Sequence, residues 1–162
     1  MIQITPYQPI YQQAIIDLIL NIQQNEFNVP ITLHDQPDLL IIPEFYCQQK
    51  GNFWLALDDN KLVGTIALID IGDEMGALRK MFVHRDYRGK NVGVASVLLN
   101  TLLQHCQKSG FKSIFLGTNP RLQAAMRFYE KNGFSQLPAE SLPPQYPRMQ
   151  VDTVFYQYHL TL

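Results

Sequence analysis

The sequence is poor in the residues that build disulfide and metal sites. It has two cysteines, Cys47 and Cys106, and four scattered histidines among 162 residues. Neither cysteine belongs to a CxxC pair or has metal-ligand spacing to a histidine, so we expect neither a disulfide framework nor a bound metal. A chain of this length can bury roughly two thirds of its unfolded surface without such staples, and we expect one domain over residues 1–162.

An excess of charge of either sign is also missing. Thirteen Lys and Arg residues stand against 14 Asp and Glu residues, and charged residues make up only 17% of the chain. A nucleic-acid or anionic-membrane partner would need a basic stripe, so we expect neither. No apolar run approaches the 18 or so residues of a membrane span, and residues 1–6 lack a secretory leader pattern. These absences predict a cytoplasmic protein.

What the chain does have is a regular alternation of helical and extended patterns. Apolar residues at helical spacing predict helices over about 9–24, 43–50, 92–109 and 120–132. Extended patterns predict strands over 2–5, 53–57, 61–69, 77–83, 113–116, 134–137 and 151–160. Thr118 or Asn119 is expected to cap the last helix, with Pro120 in its first turn. The order β-α-α-β-β-β-α-β-α-β-β indicates one mixed α/β domain.

The segment from residue 80 to residue 94 is the most informative for function, because it leads from a strand through a glycine-bearing loop into a helix. Gly89 and Gly93 relieve side-chain crowding, so backbone N–H groups can converge on an anion. The start of the helix adds unbonded N–H groups, and Arg88 and Lys90 add charge, with arginine offering a fork for phosphate oxygens. A diphosphate is the expected guest, although the loop is neither a P-loop nor a GxGxxG fingerprint. The alternative is an ordinary helix start with solvated cations.

Charge is concentrated around this loop. Five cations fall within a dozen residues, namely Arg79, Lys80, Arg85, Arg88 and Lys90. A nearly neutral protein with one local cationic cradle fits a small phosphorylated ligand better than a polymer.

Two motifs resemble those of the GNAT superfamily of acyl-CoA-dependent N-acyltransferases. The first is Leu78-Arg-Lys-Met-Phe-Val83 followed by Arg88-Gly-Lys-Asn-Val-Gly93, similar to the family loop R/Q-x-x-G-x-G/A with Asn91 in place of its first glycine. The second is Ala124-Ala-Met-Arg-Phe-Tyr-Glu-Lys-Asn-Gly-Phe134, which resembles the family's motif B. The resemblance implies a central, mostly antiparallel sheet with a splayed strand pair and flanking helices.

The resemblance also implies an activity, the transfer of the acetyl group of acetyl-CoA to a primary amine by direct attack in a ternary complex, without a metal. The backbone of the loop would hold the pyrophosphate of coenzyme A, through Arg88, Gly89, Lys90, Asn91, Val92, Gly93 and Val94. Met81, Phe82 and Val83 would pair with the pantetheine arm, with Ala125 also at the cofactor site. Tyr129 would protonate the departing thiolate, since a phenol is a reasonable donor to it. Asn119 is expected either to reach the pantetheine or to cap the helix.

The general base is less determined by the sequence. Many family members place a glutamate where this chain has Ala77 and Leu78. Glu74 is the candidate here, but roughly 20 Å of extended strand separates it from Met81. A water chain to Glu74 and an amine that loses its proton to solvent are equally open.

The acceptor amine, which could be a small molecule or a peptide, is not identified. Segments 24–50 and 138–150 are expected to flank it, with Phe27, Tyr46, Tyr146, Met149 and Asp152 as candidate residues. A catalytically idle acyl-CoA-binding regulatory module and an acyltransferase that uses another acyl-CoA are the alternatives. The chain could be a monomer or a homodimer, because the aromatic last strand could pair across a dimer.

Overall fold

A mixed sheet runs through the protein, and the computed structural model describes residues 1–89 and 92–160. Its strands are β1 (Ile2–Pro6), β2 (Asn52–Asp58), β3 (Lys61–Gly72), β4 (Met75–Val83), β5 (Ser113–Thr118), β6 (Ser135–Leu137) and β7 (Val154–His159). They lie in the order β1-β2-β3-β4-β5-β7-β6. Every neighbouring pair is antiparallel except β4 and β5, which are parallel. The mostly antiparallel α/β sheet is therefore confirmed.

The helices cover both faces of the sheet. They are α1 (Gln12–Leu20), α2 (Ile42–Tyr46), α3 (Val94–Ser109) and α4 (Gln123–Lys131). Apolar residues of α1 and α2 share one buried cluster with the sheet, and α3 and α4 contribute to a cluster on the other side. Helix α3 ends at Gly110, whose φ of 82° suits a residue without a Cβ, as its sequence predicts. Among the described residues, no helix is long and apolar enough to cross a membrane.

The predicted first helix is divided into three parts. A 3-10 turn over Pro9–Tyr11 precedes α1, and a π-helical segment over Asn21–Glu26 follows it. The wider π turn carries one extra residue, which a 3.6-residue periodicity does not reveal. This segment buries Gln23, which exchanges hydrogen bonds of 2.8 and 3.2 Å with the side chain of Gln36.

The predicted start of the last helix is wrong. Helix α4 begins at Gln123, with Leu122 as its N-cap residue, rather than at Asn119 or Pro120. The Asn119 side chain accepts a hydrogen bond from the Arg121 N–H at 2.9 Å, which makes a turn ahead of the helix. Asparagine competes for local backbone groups in this way and so delays helix formation.

Candidate functional site

Strands β4 and β5 separate after a short stretch of pairing, which confirms the splayed strand pair. Met75–Ala77 pair with Ser113–Phe115, whereas β4 continues to Val83 and β5 to Thr118. Helix α4 follows β5 and lines the space that opens between the strands. Two cavities occupy this space, and five residues line both of them: Met81, Phe82, Leu122, Ala125 and Tyr129. We call these five residues the shared wall.

The first cavity, here the apolar cavity, has a volume of about 230 Å³. Besides the shared wall it is lined mainly by apolar side chains, together with Arg88 and Gly89: Ile22, Phe27, Val83, Ala95, Ala124 and Phe128. Arg88 and Gly89 lead toward the start of α3, where the N-cap residue Gly93 adopts a φ of 71°. Because glycine has no side chain to cap the first turn, the helix start can offer backbone N–H groups to an anion.

The Arg88 guanidinium is already engaged by a carboxylate. Both of its terminal nitrogens donate to Glu26, one of them at 2.9 Å, and its Nε donates to the Val83 carbonyl at 2.8 Å. The guanidinium also lies 5.6 Å from the centre of the Phe27 ring. The fork that the sequence suggests for a phosphate is therefore occupied by Glu26.

The second cavity, here the charged cavity, lies on the other side of the shared wall. The charged cavity itself has a volume of about 90 Å³ and is lined by Arg79, Lys80 and Asp152 in addition to the shared wall. This inner cavity adjoins a separate outer basin of about 850 Å³, which Arg79 also lines. Further charged residues of the basin are Asp35, Asp38, Arg121 and Arg148.

A β-bulge in β4 explains why two consecutive cations reach this cavity. Thr65 of β3 pairs with Phe82 and Ala67 pairs with Arg79, so two steps of β3 match three steps of β4. Lys80 takes the extra position with a φ of 53°, and the Thr65 hydroxyl donates to its carbonyl at 2.7 Å. A bulge breaks the alternation of side chains, so Arg79 and Lys80 line the same cavity.

Lys80 is held by a buried polar network. Its Nζ lies 3.5 Å from Asp38 Oδ2 and donates to Gln36 Oε1 at 2.5 Å, and Asp38 also accepts from the Tyr46 hydroxyl at 2.5 Å. Burial lowers the pKa of Lys80 to about 8, although Asp38 acts in the opposite direction. The network satisfies a charge that would otherwise be costly to bury.

Asp152 is a partly buried carboxylate beside the shared wall. Burial raises the pKa of Asp152 above its ordinary value, while Arg79, Lys80 and Arg148 offset part of the effect. The carboxylate packs over Gly117, where an added Cβ would lie only 2.8 Å from Asp152 Oδ2. Among the described residues it makes no side-chain hydrogen bond and no ion pair within 4.0 Å.

Tyr129 stands between the two cavities. Its ring packs against Phe134 and Tyr156, at centroid distances of 5.6 and 6.1 Å, and the residue is 6% exposed. Burial raises the pKa of Tyr129 well above its ordinary value, and Asp152 adds to the effect, so the hydroxyl is protonated at neutral pH. The tyrosine lines both cavities, so it can face a group in either.

The family model for acetyltransferases of the GNAT family matches residues 16–134. The chain belongs to the GNAT family. An acetyltransferase of this family from Staphylococcus aureus Mu50, solved as a crystal structure, is 39% identical, with a TM-score of 0.96. That likeness covers 99% of this chain and 100% of the other.

Two further relatives extend the comparison. The N-acetylaspartate synthetase of Xenopus tropicalis is 32% identical over 128 residues, which are 75% of this chain and 46% of that protein. The chain spans about half the length of the curated relatives it matches. The PaiA N-acetyltransferase of Thermoplasma acidophilum, solved in complex with coenzyme A, is 15% identical with a TM-score of 0.73 over 99% of each chain, and it shares the fold.

The GNAT motifs bring most of their residues to the two cavities. Those that line the apolar cavity are Met81, Phe82, Val83, Arg88, Gly89, Ala125 and Tyr129. Val92 and Gly93 precede α3, while the side chain of Val94 is buried in the core under that helix. Lys90 and Asn91 lie outside the described residues.

Other predicted residues are placed elsewhere. Glu74 lies in the turn before β4, its carboxylate 3.3 Å from Lys112 Nζ, and about 23 Å of strand separates it from Met81. Asn119 lines the charged cavity rather than the apolar one and donates to the Val151 carbonyl at 2.9 Å. Phe27 lines the apolar cavity and Met149 the charged one, whereas Tyr46 and Tyr146 line neither.

Sequence reasoning missed two assignments that matter in this GNAT domain. Arg79 and Lys80 were expected beside the phosphate loop, but both line the charged cavity. The sequence did hold a signal for this placement, namely two consecutive cations inside a strand of apolar residues. Side chains of a strand alternate between its two faces, so one of the two cations has to point toward the core. Glu26 carried no local signal, since its partner is 62 residues away.

Proposed function

We propose that this GNAT domain transfers the acetyl group of acetyl-CoA to a primary amine, by direct attack within a ternary complex. The observation that carries the proposal is the shared wall, which separates an apolar cavity from a charged one by single side chains. A donor in the apolar cavity and an amine in the charged cavity would meet at Met81 and Tyr129. Holding two reactants in contact makes the step effectively unimolecular.

The apolar cavity fits the pantetheine arm of the donor. Its walls are mainly aliphatic and aromatic, and the first turn of α3, which begins at Val94, would offer backbone N–H groups to a pyrophosphate. The bulge leaves Lys80 and Met81 without registered partners on β3. A backbone N–H there would polarise the thioester carbonyl and stabilise the oxyanion that develops. Coenzyme A in the structure of the Thermoplasma protein supports this class of donor.

Asp152 is the general base that the geometry favours, in place of Glu74. It lines the charged cavity with Tyr129, and its carboxylate has no competing partner among the described residues. The amine nitrogen would bond to the thioester carbon, its proton would pass to Asp152, and the carbon–sulfur bond would break. Burial raises the pKa of this carboxylate, which makes it a stronger base than a solvated aspartate.

Tyr129 would return a proton to the departing sulfur. The raised pKa keeps the hydroxyl protonated but makes it a weaker acid. The same apolar surroundings destabilise the thiolate of coenzyme A and so raise the pKa of its thiol as well. Proton transfer from the Tyr129 hydroxyl to the sulfur therefore stays feasible. Asp152 then releases its proton to solvent, Tyr129 regains one from solvent, and coenzyme A leaves as the free thiol.

The test is amine-dependent release of thiol from acetyl-CoA, measured with a panel of amines and with longer acyl-CoA donors. Release with acetyl-CoA and at least one amine supports the proposal. Coenzyme A binding without transfer to any amine would show the idle binding module instead, and a preference for longer donors would show another acyltransferase. The one-domain extent, the cytoplasmic location and the choice between monomer and homodimer stay predictions.

A further inference from the structure

Arg79 is a buried cation without a partner. The residue is 8% exposed, yet within residues 1–89 and 92–160 its guanidinium makes no hydrogen bond and no ion pair. It lines both the inner cavity and the outer basin. Its nitrogens reach the cavities it lines, because the only inaccessible side-chain nitrogen or oxygen without a hydrogen bond among the described residues is the Tyr146 hydroxyl. An open guanidinium fork that faces a cavity and has no protein partner is suited to an anionic ligand.

The neighbouring charges do not supply that anion. Asp38 is committed to Lys80 and Tyr46, and Asp35 accepts two bonds of 3.0 Å from Thr32. The other cations of the basin also have contacts. Arg121 donates to the Asn28 carbonyl, and Arg148 lies 4.9 Å from the centre of the Phe155 ring.

Asp152 is the second charged group of the cavity without a bonded partner. It lies outside ion-pair distance of Arg79, since the described residues hold no such pair within 4.0 Å. The two groups still interact, because Arg79 opposes the upward shift in the pKa of Asp152. One cavity thus presents an unpaired cation and an unpaired anion, close together but not joined.

We infer that the acceptor is a zwitterionic amine, a free amino acid, whose carboxylate binds Arg79 while its ammonium group faces Asp152. This inference rests on the proposed function and names its substrate class. A guanidinium fork matches the two oxygens of a carboxylate. The ammonium loses one proton to solvent to become a nucleophile, and Asp152 accepts the second as the nitrogen bonds to the thioester carbon. The outer basin leaves room for a side chain. Polyamines and internal peptide amines lack the carboxylate and leave Arg79 unpaired.

The experiment compares free amino acids with their carboxamides, which keep the amine and lose the negative charge. With wild-type protein, kcat/KM is expected to be at least about 30-fold higher for the acid, as for loss of one partner of a buried charged pair. Arg79→Gln should remove this preference by raising KM for the acid, and Arg79→Lys should restore part of it. Arg127→Gln is the matched control, because Arg127 is exposed on α4 and lines neither cavity.

The outcomes separate the two proposals. Equal or better transfer to carboxamides or spermidine would overturn the acceptor class and leave the transferase standing. A preference for the acid that survives Arg79→Gln would overturn the role of Arg79. Failure to acetylate any amine, with coenzyme A still bound, would overturn the proposed function and this inference with it. If Arg79→Gln fails to fold, the wild-type comparison of acid and carboxamide decides alone.

Discussion

Glu26 and Arg88 form a two-pronged ion pair beside the apolar cavity, although 62 residues separate them in the chain. Glu26 ends the π-helical segment, and Arg88 follows β4 and also donates to Val83. The pair therefore joins a segment on one side of the sheet to the loop that leads into α3. It stabilises the loop that is proposed to bind the pyrophosphate.

Replacing the Glu26 carboxylate should lower the stability of the fold modestly. Glu26→Gln is expected to lower the free energy of unfolding by about 0.5–1 kcal/mol, because the arginine is about a third exposed and solvent screens the pair. Urea denaturation at low and high salt measures the unfolding free energy of the variant and of the wild type. The difference between them should shrink as the salt concentration rises, because salt screens the ion pair. Glu140→Gln removes the same charge at an exposed position and should change little. A loss of several kcal/mol would contradict this expectation and mean that the Glu26–Arg88 pair stabilises the fold as a whole, beyond the loop before α3.

Tyr129→Phe tests the proton donor. The ring packing is kept and only the hydroxyl is lost, so coenzyme A affinity should be unchanged while kcat falls by about 10²–10⁴-fold, the range for a general acid. Calorimetric binding of coenzyme A and thiol release measure the two effects separately. Tyr158→Phe removes a hydroxyl from a partly buried tyrosine that also packs on Phe134, and it serves as the control. If Tyr129→Phe turned over at the wild-type rate, the thiolate of coenzyme A would take its proton from solvent and Tyr129 would not be the acid.

Features set by neighbouring residues could be predicted from the sequence. Helix α3 and its end at Gly110 follow from an apolar stripe and a residue that tolerates a left-handed backbone. The turn between β2 and β3 follows in the same way, since Asp59 and Asn60 both adopt positive φ, 48° and 72°. Met81 and Tyr129 were found through motifs, and the structure places both on the shared wall.

Features set by distant residues could not be predicted. The bulge at Lys80 depends on how β3 and β4 match across the sheet, and neither strand alone shows where the extra residue falls. The bond from Lys80 to Gln36 spans 44 residues, so periodicity carries no sign of it. The sequence alone does not place Asp152 beside Tyr129, because its position depends on β7 pairing with β5.

The Lys80–Asp38 pair predicts a large loss when one partner is removed. Both side chains are nearly inaccessible, at 2% and 6% exposed. Lys80→Met should lower the free energy of unfolding by about 3–5 kcal/mol, because Asp38 would be left as an uncompensated buried charge. The double variant Lys80→Met with Asp38→Asn should recover part of that loss. Equal stability of the single and double variants, compared by denaturation at neutral pH, would show that the two charges are not coupled.

Asp152→Asn tests the general base through the pH dependence of the reaction. The carboxylate must be ionised to accept a proton, so kcat/KM should rise with pH through its pKa, which burial places above the ordinary aspartate value. The asparagine variant should lose this acid limb and fall by about 10²–10⁴-fold at neutral pH. Rates measured from pH 4 to pH 9 show both effects, and an unchanged profile would exclude Asp152 as the base.

The same substitution should stabilise the fold, which separates a catalytic role from a structural one. A folded pKa above the unfolded value means that the folded protein binds this proton more tightly, so the contribution of Asp152 to stability falls as pH rises through that range. At neutral pH the wild type carries the cost of a partly buried charge, and the neutral asparagine does not. The advantage of Asp152→Asn in unfolding free energy should therefore be larger at pH 7 than at pH 3. Lower activity together with lower stability at pH 7 would indicate instead that the carboxylate supports the fold around Gly117.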